Sequence, residues 1–171
     1  EHYDVKPDLI CCGKGMGGGV ALSGVIGKKN IMDLPSVGEM SSTNSANPLA
    51  CVAGMTVIDE INNKKILKKV KENGEYLKTG LEAIMNRNSI TIRYLMGKGM
   101  IYALIFDNKI PNIGMKLKQV CFGAMKNGLL VVYTGRESIK IGPPLTISKK
   151  AIKEGLQVLE EQISKVFKKI N

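Results

Sequence analysis

Asp8-Leu9-Ile10-Cys11-Cys12-Gly13-Lys14-Gly15-Met16-Gly17-Gly18-Gly19 is the stretch on which the reading of the fold turns. Leu9 to Cys12 are four apolar residues in a row, ended by a glycine loop, and read as a short buried strand. Five glycines among residues 13–19 exclude a stable helix there. They permit unusual dihedrals and close approach of the backbone to a ligand. Lys14 follows the strand directly, with no acid within five residues. Two readings of Lys14 stand side by side. One is a lysine on a surface loop. The other is a lysine inside a cleft, where desolvation favours a neutral amine able to attack a carbonyl.

Two phosphate-binding patterns are tested against this loop and fail. Gly13 to Gly18 fits G-x-G-x-x-G, and Asp33 lies twenty residues after Gly13. A dinucleotide site needs an amphipathic helix directly after the glycines. Residues 19–27 are too rich in glycine and β-branched residues for that helix. A P-loop needs G-K-[ST], which does not occur.

Outward from the loop, Val20 to Ile26 is strand-like and Ser36 to Asn47 is a polar loop. Asn47-Pro48 opens a helix, since Asn caps and Pro fits a first turn that needs no N–H from it. Val52, Met55, Ile58 and Ile61 follow at helical spacing. After a polar break at Asn62-Asn63, the stripe Ile66, Val70, Leu77, Leu81, Ile84 predicts a further helix. Ile90 to Tyr94 and Met100 to Phe106 read as strands around Gly97-Lys98-Gly99. Ile113 to Asn127 is a helix stopped by Gly128, with Leu117, Val120, Cys121 and Ala124 facing inward. Leu129 to Tyr133 and Ser138 to Ile141 are strands. Ser148 caps a last helix with the stripe Ile152, Leu156, Leu159, Ile163, Val166, Ile170. From about Lys64 the order helix, strand, strand, helix, strand, strand, helix predicts an α+β unit with its own core. Residues 1–60 read as the end of a larger domain. The first residue is Glu1 and no signal pattern follows it, so the chain is expected to begin inside a longer product.

The chain has 171 residues with 44% apolar and 23% charged, which is globular composition and excludes a disordered or collagen-like chain. No stretch reads as a membrane span; residues 40–58, free of charge, begin too polar for one. Net charge is +10, unevenly placed. Residues 1–60 hold four lysines against seven acids, and residues 61–171 hold 21 basic against eight acidic residues. The lysines come in pairs between apolar residues at helical spacing, as on solvated helix faces. With three arginines and eight Phe or Tyr, the equipment for nucleic-acid binding is missing. Cys11, Cys12, Cys51 and Cys121 form no C-x-x-C pair and His2 is the one histidine. No metal site is expected, and the cysteines read as buried reduced thiols of a cytoplasmic protein.

The wider pattern bears on Lys14. Pro7 to Gly19 with Leu22 to Gly27 resembles the cofactor-lysine segment of class III pyridoxal-phosphate aminotransferases. Ser42-Thr43-Asn44-Ser45-Ala46-Asn47-Pro48-Leu49-Ala50 resembles that family's S-T-x-x-G-N-P-L-A motif. Gly97-Lys98-Gly99-Met100 is similar to its G-x-G-[LM] turn, and Ile139 to Ile147 to its late I-R-x-x-P-P-L-T-I strand. Four motifs in order across nearly the whole chain are specific together.

The resemblance implies an α/β fold, that of the fold type I PLP-dependent transferases. Residues 1–60 would be the end of the large PLP-binding domain and 61–171 the small C-terminal α+β domain. It implies pyridoxal 5'-phosphate held by Lys14 as a Schiff base, and amino transfer between an amino acid or ω-amine and a 2-oxo acid. Ser42 and Thr43 are implied to bind the cofactor, Thr43 donating to its phosphate from the neighbouring subunit of a homodimer. Thr43 also precedes the helix start at Asn47, where free N–H groups favour an anion. Lys140 stands where relatives that clasp a substrate carboxylate carry Arg, and Arg136 is the substitute candidate. Lys140 is equally readable as a strand-edge lysine facing water. Ser45-Ala46 departs from the usual G-G or S-G pair. A racemase, aminomutase or decarboxylase on the same scaffold is the alternative, and a non-catalytic remnant another. The phosphate-binding glycine loop, the ring-stacking aromatic and the acid that pairs with the ring nitrogen are all expected upstream of Glu1. This chain alone is therefore expected to be a poor catalyst.

Overall fold

The structure, a computed structural model describing residues 2–167, is mixed α/β and divides into two compact units, 1–64 and 65–171. In the first, β1 (Leu9–Cys12) and β2 (Gly24–Gly27) form an antiparallel ribbon, with Cys12 opposite Gly24. A single 3-10 turn, Lys14–Gly17, follows β1, so the glycine loop holds one tight turn and no longer helix. A one-turn α1 (Lys29–Met32) and the longer α2 (Pro48–Asn62) complete the unit.

Both expected strands form, and they pair with each other, but the ribbon is not buried. Leu9, Ile10, Val25 and Ile26 are exposed, because two strands have no third layer to cover either face. Cys11 is likewise exposed and Cys12, Cys51 and Cys121 are half-buried, correcting the expectation of buried thiols. Val20 to Ser23 is not strand; Val20 N–H donates to Gly17 O and the next three residues line a cleft. Helix α2 starts as predicted. Asn47 Oδ1 accepts the Leu49 N–H at 3.0 Å and the Ala50 N–H at 3.4 Å. Its buried side is Ala50 and Gly54, and a Cβ on Gly54 would lie 2.5 Å from Leu22. Val52, Met55, Ile58 and Ile61 are 40–64% exposed.

The second unit has the predicted order: α3 (Lys64–Arg87), β3 (Ile92–Lys98), β4 (Ile101–Phe106), α4 (Ile113–Lys126), β5 (Val132–Tyr133), β6 (Ser138–Ile141), α5 (Lys149–Phe167). The sheet order is β3-β4-β6-β5, antiparallel throughout. Strand residues alternate between faces. Tyr102, Leu104 and Phe106 of β4 and Ile139 and Ile141 of β6 join Leu77, Leu81 and Ile84 of α3, Leu117 and Val120 of α4, and Ile152, Leu159 and Ile163 of α5 in one core. Tyr94, Met96, Ile101 and Val132 lie on the other face and are exposed. Ile170, the last member of the α5 stripe, lies outside the described residues. Ser148 caps α5 as predicted, its Oγ accepting the Ala151 N–H at 3.1 Å.

Two strand limits differ from expectation for local reasons. Leu129 is drawn out of β5 by the end of α4, where its N–H donates to Ala124 O and Gly128 N–H to Met125 O. Gly128, at φ +84°, makes this left-handed stop possible. Gly97 lies inside β3 rather than in the turn. It has φ +142°, and a side chain there would collide with Ile101 O and Tyr102. The turn itself is Gly99-Met100. Gly99 O lies 2.5 Å from where a Cβ on Gly74 of α3 would be, so helix and hairpin meet backbone to backbone. Asn73, beside it, donates from Nδ2 to Ile147 O at 2.8 Å.

Gly74→Ala is expected to destabilise the protein in chemical unfolding. Overpacking against an unyielding backbone costs about 1–3 kcal/mol, more than the roughly 0.8–1 kcal/mol that alanine gains over glycine in a helix.

Candidate functional site

The β1–β2 ribbon positions Lys14. The strand ends at Cys12, Gly13 is extended, and Lys14 turns to φ +56°, in the left-handed region that side chains rarely occupy. That conformation costs a non-glycine residue about 1–2 kcal/mol, and strain of this kind gathers at functional positions. Because β2 returns with Gly24 opposite Cys12, Ser23 comes back beside the glycine turn, and a Cβ on Gly13 would lie 3.6 Å from Ser23 Cβ.

Lys14 opens onto a cleft of about 540 Å³ within the first unit. Ser23 lines it next to Lys14, and Ser42, Asn44, Ser45 and Asn47 also line it. Lys14 is exposed at the edge of this open cleft; the described residues do not enclose its amine as the cleft reading anticipated. The lining segment from Ser42 to Ser45 is a closed turn. Ser45 N–H donates to Ser42 O at 3.0 Å and Ser42 N–H to Ser45 Oγ at 3.1 Å. The two hydroxyls lie 2.7 Å apart.

Lys14 and Ser42 thus share one cleft. Thr43 is exposed and does not line it. Free N–H groups at the start of α2 are not found. Pro48 has none, Asn47 Oδ1 takes those of Leu49 and Ala50, and Asn47 O takes that of Cys51. An anion here would meet side chains of the turn rather than the helix terminus.

Lys140 and Arg136 belong to the second unit. Lys140 is half-buried on β6, an interior strand, opposite Ala103 of β4 and Val132 of β5. It therefore lies on the side of the sheet away from the core; its place on an interior strand corrects the edge position, while its half-exposed face agrees with a lysine turned to water. Arg136 is exposed in the turn between β5 and β6. Ser23, Ser45 and Asn47 had no place in the predicted site. Pairing the two strands around the glycine loop would have returned Ser23 to Lys14. Among the described residues no group of His, Cys, Asp and Glu is arranged to hold a metal, and no helix is long and apolar enough to cross a membrane.

A hairpin that presents a glycine-flanked lysine to a hydroxyl-lined cleft, followed by an α+β unit with a four-stranded antiparallel sheet, is an arrangement found in known proteins. The family model for class III aminotransferases matches residues 1–163, and the chain belongs to that family. An acetylornithine aminotransferase of Caldanaerobacter subterraneus is 29% identical over 97% of this chain and 40% of its own length. A leucine/methionine racemase of Thermococcus litoralis is 36% identical over 97% of this chain and 38% of its own. The crystal structure of an acetylornithine aminotransferase from Elizabethkingia anophelis matches at TM-score 0.83 and 29% identity, over 96% of this chain and 42% of that one. The chain spans about two fifths of the length of these relatives.

Ala46 adopts φ +49° at the position where the family motif has glycine. Ala46→Gly is expected to raise stability by about 1 kcal/mol, the order of the left-handed penalty removed, read as a shift in the unfolding midpoint.

Proposed function

We propose that this chain is the C-terminal part of a pyridoxal-phosphate-dependent aminotransferase, with Lys14 as the lysine that holds the cofactor. Residues 1–64 would then be the end of the large domain and 65–171 the small domain. The observation that carries the reading is Lys14, in a strained left-handed conformation between glycines, at the mouth of a cleft lined by hydroxyl and amide groups. The cleft fits the cofactor in chemistry. Its lining includes an amine for an aldehyde and hydroxyl groups for a phosphate.

When bound, pyridoxal phosphate supplies the electron sink that makes the carbon beside the substrate nitrogen acidic. The protein's part is position and proton transfer. The Lys14 amine would hold the cofactor, and once released by an incoming amino group it would act as the base that carries a proton between the substrate carbon and the cofactor carbon. Ser42 orients the phosphate from within the cleft. In a homodimer Thr43, turned out of this cleft, serves the partner's cofactor. Lys140, or Arg136 from its turn, meets the substrate carboxylate as a positive charge. The amino group moves between an amino acid or ω-amine and a 2-oxo acid, in the cytoplasm.

A second reading is amino-acid racemisation, favoured by the 36% identity to the leucine/methionine racemase. Both reactions share the Lys14 chemistry. Chiral analysis of one L-amino acid incubated without a 2-oxo acid separates them, since only a racemase produces the D-isomer catalytically.

Borohydride reduction with pyridoxal phosphate present is expected to fix the pyridoxyl group on Lys14, located by peptide mapping, and Lys14→Ala to lose both label and turnover. A label confined to another lysine would end this reading. Lys140→Ala is expected to raise KM for a carboxylated donor by about tenfold or more, as for loss of one contact to a charged group. An uncharged amine donor should be unaffected; equal effects on both donors would exclude a carboxylate-specific role.

A further inference from the structure

Helix α5 turns one face to a cavity of about 50 Å³ inside the second unit. The floor of this cavity is buried: Leu77 and Leu81 of α3, Ile141 of β6, and Ile152 and Leu159 of α5. Its rim is less covered. Leu129, Val131 and Pro143 are half-buried there and Ala151 is exposed, so the cavity is open to solvent on that side.

The void follows from the sequence of α5. Ala151 and Gly155 stand one helical turn apart on the lining face and fill little of the space before them. Leu156 also lines the cavity but is drawn toward α3. It sits so near Gly80 that a Cβ there would lie 2.3 Å from Leu156 Cδ1. On the far side a Cβ on Gly155 would lie 3.2 Å from Leu129 Cδ1.

The lining decides what the cavity takes. Its residues are Leu, Ile, Val, Pro, Ala and Gly, so no side chain offers a hydrogen bond. A trapped water needs about two to four polar partners, and left empty the lining forfeits dispersion contacts. With roughly 10–15 Å³ for each water-sized sphere, the volume of about 50 Å³ admits about three to five non-hydrogen atoms. We propose that this cavity binds a small, uncharged, apolar molecule, of the class of a short alkane or a xenon atom. The site is separate from Lys14 and does not depend on the cofactor reading.

The test is methyl NMR of the full chain titrated with propane and xenon, and with acetamide, which is of similar size but forms hydrogen bonds. Propane and xenon are expected to shift the methyl signals of Leu81, Ile141 and Ile152 and to saturate. The Kd should be about 1 mM or weaker, because so few atoms carry little affinity. Acetamide should leave those signals in place. Ala151→Leu extends a rim side chain over the opening and should weaken propane about tenfold or more, as for two or three methylene-sized groups kept out. Gly155→Ala adds one methyl on the Leu129 side and should weaken it about fourfold. Lys153→Ala, on the same helix but outside the lining, should change nothing. Shifts that rise without saturating, an equal response to acetamide, or undiminished propane binding in Ala151→Leu and Gly155→Ala would each overturn the proposal. Lining shifts that grow with protein concentration alone would place a side chain of a second copy in the cavity, and would overturn it as well.

Discussion

Burial of the pair Leu104 and Ile139 is the contact around which the second unit is built. The two residues face each other across β4 and β6, and both are fully buried. Their side chains point to one face, so alternation fixes every neighbour: Tyr102, Phe106 and Ile141 go to the helices, and Ala103, Ile105 and Lys140 to the opposite face. A slip of one residue would put Lys140 into the core and Ile139 outside. The register that protects the core therefore also keeps Lys140 on the opposite face of the sheet.

The glycines give a second level of constraint. Gly74 and Gly99 let α3 meet the β3–β4 turn at backbone distance, and a side chain on Gly80 would strike Leu156 of α5. These are packing roles. The glycine turn around Lys14 is mixed: Gly15 and Gly19 have open space where a Cβ would go, while one on Gly17 or Gly18 would crowd Leu22 or Val57. The non-glycine residue that takes the costly left-handed conformation there is the lysine itself.

Much of this was legible in the chain. The Asn47 and Ser148 caps, the α5 stripe and the order of elements from Lys64 onward follow from periodicity and capping chemistry, which are local. What was not legible depends on partners far along the chain. The apolar run Leu9–Cys12 reads as buried, yet exposure is decided by which layers cover a strand. Gly97 reads as a turn residue because glycine marks both turns and close backbone contacts, and only the approach of Ile101 and Tyr102 tells them apart. At the site, Lys14 was singled out by its surroundings. Ser23 and Ser45 were missed because a serine in a loop has no spacing of its own; their place follows from hairpin register and from a hydroxyl pair.

The uneven burial of the two units has a consequence for how the molecule opens. Among the described residues of the first, Gly17, Ala50 and Gly54 are the buried ones, whereas the second holds a continuous core from Leu77 to Phe167. Free energies of local opening follow buried apolar contact. Amide hydrogens of the β1–β2 ribbon would thus exchange with solvent through small, frequent openings. Those of β4 and β6 would wait for loss of the whole core. The lysine turn belongs to the readily opening unit, so the one strained lysine backbone among the described residues lies where protection is low.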